Sequence, residues 1–509
     1  MDIEEFREFG KASVDYIASY FENIRKIDVI SKVEPGYLKN ELPETVPLRG
    51  ESWHKVLEDV DKVILPGLTH WHSPHFHAFF PTANSFPGVV GELLLSGLGS
   101  LSKDWETNPA CIELEIRMMD WLGKMLGLPE EFLNESDGPG GGVIQNAASE
   151  ATFLGLLCGK QRTIASQSED QVSSKLVAYT SKESNSSVEK AGLLASVPMR
   201  LLPTDQNGSL RGRTLQAAIK KDKEAGLVPC CVVATLGTTG TCAFDNLEEI
   251  GTVCHEEGVW LHVDAAYAGA VFACPEYRHL MKGVQFADSF NFNPHKWMLV
   301  NSDCSAMWFK DTRNAEAALR VKTNLPNPSV FEPDIQHWQI PDSRRFRALK
   351  IWFVLRIYGV EGVQKHIRRQ IALARFFQQL VEVDDRFEVC ASSMGLVCFR
   401  VKGEDVFTRV LLDGVSKRGK IFLTPYFYRE QLVVRFVICS RFTERGDILF
   451  AWREIVRVLE EQVFPCKIVV SKKRRRIRNN GTNILKVLDP SFTNIHQGIN
   501  ENVKVELFL

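Results

Sequence analysis

Residues 231–263 read CVVATLGTTGTCAFDNLEEIGTVCHEEGVWLHV, and this stretch decides the fold. Its two ends, 231–235 and 259–263, are short apolar runs of strand character. Between them residues 247–257 carry a helical pattern closed by Gly258, the residue type favoured just past a helix end. Asp245 is read as the N-cap of that helix. Strand, helix, strand in about 30 residues is a βαβ unit and implies a mostly parallel sheet.

The same rhythm extends outward. Residues 175–179, 198–202 and 289–292 read as further strands, and 187–194 and 214–225 as helices, the latter closed by Gly226. The apolar stretch 227–236 is too short to cross a membrane and contains Pro229, so it reads as a buried strand. Ligands of such sheets bind beyond the carboxyl ends of the strands, so the chemistry is expected just after each strand.

At the N-terminus Ile3, Phe6, Gly10, Val14, Ile17, Phe21 and Ile24 recur at spacings of three and four, the stripe of an amphipathic helix. Residues 321–337, with three prolines and no periodicity, read as a long mobile loop. Residues 344–461 return to alternating helix and strand, with 396–401 and 432–439 the clearest strands of a smaller α/β domain. The run Lys472-Lys473-Arg474-Arg475-Arg476, with Arg478, reads as part of a solvated tail; polyanion binding or nuclear import is the alternative.

Composition narrows the classes. The chain has 509 residues, 44% hydrophobic and 24% charged, which excludes global disorder. Sixty-one Lys+Arg against 63 Asp+Glu give a net charge of -2, unlike a nucleic-acid or membrane-surface binder. No apolar run reaches the roughly 20 residues of a spanning helix. The opening Met1-Asp2-Ile3-Glu4-Glu5 is acidic where a secretory signal is basic. Twelve cysteines form no CxxC pair, and the expectation is reduced thiols in a cytoplasmic protein.

Three segments carry chemistry. Asn291-Phe292-Asn293-Pro294-His295-Lys296-Trp297 sets a lysine directly after a strand, where a desolvated amine attacks carbonyl carbons. His262-Val263-Asp264-Ala265-Ala266-Tyr267 sets a carboxylate at a strand end, where burial demands a cationic or hydrogen-bonding partner. A protonated pyridine nitrogen is such a partner, and Lys with Asp is the usual protein signature of pyridoxal phosphate. Asp137-Gly138-Pro139-Gly140-Gly141-Gly142 leads through Ala147-Ala148-Ser149 into a helix, whose first amides suit a phosphate. It matches neither GxGxxG nor Walker A. Thr235-Leu236-Gly237-Thr238-Thr239-Gly240 offers hydroxyls nearby.

Together with Glu34-Pro35-Gly36-Tyr37-Leu38, His77-Ala78-Phe79-Phe80-Pro81-Thr82, Pro109-Ala110-Cys111 and His337-Trp338-Gln339-Ile340-Pro341, these motifs resemble the group II pyridoxal-phosphate decarboxylases, in their aromatic-L-amino-acid decarboxylase branch. The resemblance runs from about residue 1 to Phe464. It implies fold type I: a large domain on a mostly parallel seven-stranded sheet, a smaller C-terminal α/β domain and an N-terminal helical segment. The corresponding divisions are 1–85 for dimerisation, 86–343 for the cofactor, 344–466 for the small domain and 467–509 for a basic tail expected to be disordered. It further implies a homodimer binding neither nucleic acid nor membrane.

The resemblance also implies roles. Lys296 would carry the cofactor covalently, and Asp264 would pair with its ring nitrogen. Ala148, Ser149 and Asn293 would hold the phosphate, Thr239 would lie close by, and Ala266 would support a ring face. Thr82 and Phe80 would meet the substrate. Two positions depart from the family. Asn185, in Ser184-Asn185-Ser186-Ser187, stands where a histidine is usual, and an amide cannot donate a proton as imidazole can. Asn324 stands where the loop usually carries a tyrosine. Both act on protonation after CO2 leaves. The Asn185 pattern is similar to insect 3,4-dihydroxyphenylacetaldehyde synthases. The expected reaction is therefore decarboxylation with oxidative deamination of an aromatic L-amino acid, L-dopa in particular, in catecholamine metabolism. It would consume molecular oxygen and give the arylacetaldehyde, CO2, NH3 and H2O2. The alternative is simple decarboxylation to dopamine, tyramine or a similar amine. Lys103, in place of an aromatic pocket residue, leaves substrate preference open. A remote alternative is metal binding by His70, His72, His75 and His77, which lack any single strand face.

Overall fold

The computed structural model describes residues 1–102, 104–167, 172–320 and 335–464. Lys103, Asn324, the loop as far as residue 334 and the basic tail lie outside the described residues.

A seven-stranded sheet forms the centre of the larger part. Its strands are β1 (Gly141–Gln145), β2 (Leu176–Ser181), β3 (Met199–Leu202), β4 (Val228–Thr235), β5 (Trp260–Asp264), β6 (Ser289–Phe292) and β7 (Ser305–Phe309). They lie in the order β1-β7-β6-β5-β4-β2-β3. Every pairing from β6 through β3 is parallel, and β7 alone runs antiparallel to its neighbours. The inner parallel strands are covered on both faces and so read as unbroken apolar runs rather than alternating ones, whereas edge strand β3 leaves Arg200 and Leu201 exposed. All five residues of β5 are buried. Pro229 is accommodated because the β2–β4 register shifts there: Val177 pairs with Pro229 and Ala178 with Cys231. A bulge absorbs the missing N–H.

The longer helices up to the small domain are α1 (Ile3–Asn23), α2 (Phe86–Leu98), α3 (Pro109–Leu126), α4 (Ala148–Ala165), α5 (Ser186–Ala195), α6 (Gly212–Glu224), α7 (Leu247–Glu257) and α8 (Ala348–Val383), of which α3, α4, α6 and α7 pack on the sheet. The cap of α7 corrects the sequence reading. Asn246, not Asp245, is the N-cap and accepts from the Glu249 amide. Asp245 turns inward, where its carboxylate accepts from the amides of Leu210 and Thr235 at 2.7 and 2.8 Å. Those tertiary donors outcompete the local one, and burial pushes this carboxyl up to about 7.

The smaller C-terminal domain is an antiparallel sheet of β8 (Phe387–Ser393), β9 (Leu396–Val401), β10 (Thr424–Tyr428) and β11 (Gln431–Val437), ordered β8-β9-β11-β10. Helices α9 (Asp405–Arg418) and α10 (Arg445–Val458) pack with it. Helix α8 serves both cores. Ile351 and Val354 join the large core, whereas Phe377 and Val381 join the small one. Gly359, with φ of 64°, breaks the helix between the two halves.

The described residues of α1 include none that is buried, and Ile3, Phe6 and Val14 are exposed. The four clustered histidines face different partners. His70 meets the Tyr20 hydroxyl, His75 meets Asp447, and His77 meets the Val437 carbonyl. Burial, with Arg441 nearby, pushes His72 down to about 4. Among the described residues no group of three or more His, Cys, Asp or Glu side chains could hold a metal ion. The described cysteines are all free thiols, and no described helix is long and apolar enough to cross a membrane.

Candidate active site

The carboxyl ends of β1, β2, β4, β5 and β6 open on one cavity of about 240 Å³. Ala147, Ala148 and Ser149 reach it after β1, Asn185 and Ser187 after β2, and Thr235, Gly237 and Thr239 at the end of β4. Asp264, Ala266 and Tyr267 follow from β5, and Asn293, His295 and Lys296 from β6. This is where the topology of a parallel sheet places a ligand. A larger hollow of about 640 Å³ lies along α3 between Glu113, Arg117 and Trp352, without strand-end chemistry.

Lys296 sits in the short turn Pro294–Trp297. Its amide donates to the Asn293 carbonyl at 2.9 Å, and the Asn293 amide donates to the Ala266 carbonyl at 3.0 Å. The lysine turn is thus tied to the segment that carries Asp264. Burial pushes the Lys296 amine down, against the upward pull of Asp264. Burial pushes the Asp264 carboxyl up; the Lys296 charge and the Ala266 amide, at 3.0 Å, oppose it. Each group is incompletely compensated, the state of a site built for a ligand carrying its own charge.

Two further observations fit a bound pyridoxal phosphate. Asn293 Oδ1 and Thr235 Oγ1 are buried, line the cavity and find no partner within the chain. Helix α4 begins at Ala148 without a side-chain cap from Ala147, leaving its first amides free for an anion. Gly237, with φ of 90°, lets the loop after β4 close on the loop after β5, since a Cβ there would lie 2.4 Å from that of Ala268.

Asn185 is fixed at both ends. It is the N-cap of α5, with Oδ1 accepting from the Ser187 amide at 3.0 Å. Its Nδ2 donates to Thr239 Oγ1 at 2.8 Å. Phe80 stacks on Tyr267 with centroids 3.6 Å apart, and Tyr267 stacks on Trp297 at 4.6 Å. His295 accepts from the Cys304 amide at Nδ1, and burial pushes it down to about 4.

The structure therefore gathers Lys296, Asp264, Asn293, Ala148, Ser149, Thr239, Ala266, Asn185 and Phe80 at one cavity. Thr82 does not line it; its hydroxyl donates to the Ala83 carbonyl. Sequence reasoning passed over His295, Tyr267 and Ser187 as site residues. The first two stand in the quoted strand-end motifs, so position alone was a signal for them.

Residues 35–402 match the family profile described as the pyridoxal-dependent decarboxylase conserved domain. The chain is 51% identical over 465 residues to the aromatic-L-amino-acid decarboxylase of Manduca sexta, covering 89% of this chain and 92% of the relative. It is 51% identical over 468 residues to the 3,4-dihydroxyphenylacetaldehyde synthase of Drosophila melanogaster, again 89% and 92%. Among solved structures, Oryza sativa TDC with PLP and tryptamine superposes with a TM-score of 0.88 at 34% identity, over 91% of this chain and 99% of that one.

Proposed function

Since this chain belongs to the pyridoxal-dependent decarboxylase family, we propose that it converts an aromatic L-amino acid, L-dopa in particular, to the arylacetaldehyde rather than to the amine. It is a pyridoxal-phosphate-dependent carboxy-lyase of the group that includes aromatic amino-acid decarboxylases and aldehyde synthases. The net reaction of the proposal takes amino acid, O2 and water to aldehyde, CO2, NH3 and H2O2.

Bound pyridoxal phosphate supplies an electron sink for the pair released as CO2 departs. Lys296 holds the cofactor through its amine. Asp264 keeps a proton on the ring nitrogen, which relieves the burial of its own carboxylate. The first amides of α4 at Ala148 and Ser149, with the Asn293 side chain, bind the phosphate. Ala266 would support the ring, and Thr239 and Asn185 line the same cavity. Phe80 offers a flat apolar surface to an aromatic substrate.

The observation that carries the aldehyde reading is the proton supply. Asn185 bears no titratable group, and both ends of its amide are engaged. The cavity's imidazole, His295, is pushed down to about 4 by burial and is neutral near pH 7. Tyr267 is pushed far up by burial and is a poor donor. Among the described lining residues no side chain is suited to return a proton promptly near neutral pH apart from Lys296, whose amine this reading assigns to holding the cofactor. Slow protonation leaves the electron pair to molecular oxygen.

The exposed apolar face of α1 supports the homodimer expected of the family as part of this reading. The test is product analysis: cofactor-loaded protein is incubated with L-dopa in air, and amine, aldehyde, CO2 and H2O2 are quantified together. Aldehyde and peroxide in step with CO2 are expected. Amine in step with CO2, without peroxide, refutes the proposal.

A further inference from the structure

The Asn185–Thr239 hydrogen bond joins two loops from different strands, one after β2 and one after β4. Tyr426 of the small domain touches both. Tyr426 lies on the edge strand β10, where Thr424, Tyr426 and Tyr428 share the inward face and Pro425 and Phe427 are exposed. The Tyr426 hydroxyl donates to Glu183 Oε2 at 3.0 Å, two residues before Asn185. The hydroxyl end of its ring lies against Gly240, next to Thr239. A Cβ at Gly240 would stand 2.2 Å from the ring's Cζ and 2.4 Å from the hydroxyl oxygen. The Gly240 carbonyl also accepts from Arg435 Nε at 3.1 Å and Cys398 Sγ at 3.4 Å, both on small-domain strands. The loop bearing Thr239 is therefore held against the small domain, and Tyr426 extends that hold to the loop bearing Asn185.

We infer that Tyr426 is a positioning residue: by engaging Glu183 and Gly240 together, it keeps Asn185 and Thr239 in hydrogen-bond register and so sets the ratio of aldehyde to amine. The partition part rests on the role proposed above for Asn185. While the two loops are held, the Asn185 amide fills the space beside Thr239 and brings no acid into it. When they part, a water can take the amide's place on Thr239 Oγ1 and deliver a proton, and the amine share rises.

The test uses cofactor-loaded enzyme carrying Tyr426→Phe, Glu183→Ala or Glu183→Gln. Tyr426→Phe keeps the ring on Gly240 and removes only the hydroxyl. It and Glu183→Ala are expected to raise the amine-to-aldehyde ratio about threefold or more, the factor that one net hydrogen bond corresponds to. Glu183→Gln still accepts a hydrogen bond and should keep the wild-type ratio. A merely structural role would lower the thermal midpoint of Tyr426→Phe and leave the ratio alone; that result overturns the inference. Should the wild type yield only amine, the partition reading falls by itself, and Tyr426 is then judged on the visible circular dichroism of the bound cofactor. Tyr426→Phe and Asn185→Ala should shift that spectrum in the same sense, while Glu183→Gln should not. A Tyr426→Phe spectrum identical to the wild type refutes the positioning role.

Discussion

Replacing Asn185 by histidine puts an acid where the cavity lacks one. The structural cost follows from two contacts. Loss of the cap to the Ser187 amide costs about 1 kcal/mol. Exchanging the amide donor on Thr239 for a ring nitrogen puts about 1 kcal/mol more at stake. Together this is about 2 kcal/mol at one helix start, and the fold should survive. The kinetic effect is larger, because a positioned general acid contributes on the order of 10²–10⁴-fold to proton transfer. The amine-to-aldehyde ratio of Asn185→His should therefore rise by about two orders of magnitude. An imidazole donates only while protonated, so the gain should be greatest below its ordinary value of about 6.5 and fall as pH rises through it. The assay is simultaneous quantification of amine, aldehyde and peroxide from pH 5 to 8, about the range over which imidazole titrates, with cofactor loading checked by visible absorbance. A folded, loaded variant whose ratio stays within about twofold of the wild type, well below one positioned acid's effect, would refute the reasoning.

Three further outcomes are expected. Borohydride reduction should fix the cofactor's mass on the peptide containing Lys296, and Lys296→Ala should abolish that adduct. Its survival on another lysine would show the assignment wrong. Gly240→Ala drives a Cβ into the Tyr426 ring. The cost is about 1–3 kcal/mol, seen as a lower thermal midpoint that Tyr426→Ala in the same chain should partly restore. Burial raises the Asp447 carboxyl, but hydrogen bonds from His75 and Arg25 outweigh it and hold the group well below its usual range. A depressed carboxylate stabilises the fold above its unfolded value of about 3.9, and that stability is lost as pH falls below it. The wild-type midpoint should drop steeply below about pH 4. Asp447→Asn should start lower and show a flatter slope; an equally steep slope would exclude this carboxylate.

The strand-end chemistry could be read in advance because parallel strands advertise themselves. Buried on both faces, they appear as unbroken apolar runs, and the residue after each run is a site candidate by topology. Lys296 after β6 and Asp264 at the end of β5 were found that way. The α7 cap was misassigned because Asp245 and Asn246 are adjacent and both suit the position. The choice was made by the amides of Leu210 and Thr235, which no local pattern displays. Tyr426 offered no signal either. Its partners Glu183 and Gly240 stand far away in the chain, and a tyrosine on an edge strand is ordinary by itself.

Periodicity, turn residues and charged groups at strand ends were enough for the α/β class and for bringing Lys296 and Asp264 forward as candidates, because each depends on neighbours within about one βαβ unit; the roles expected of the other cavity residues came from the family resemblance. Three features depended on contacts between distant segments. These are the strand order with its reversed β7, the hydrogen bond from Asn185 to Thr239, and the clasp of the small domain on Gly240. Each rests on contacts whose free energy exists only once segments far apart in the chain have been packed together. Local propensity cannot encode it, and only the folded chain decides it.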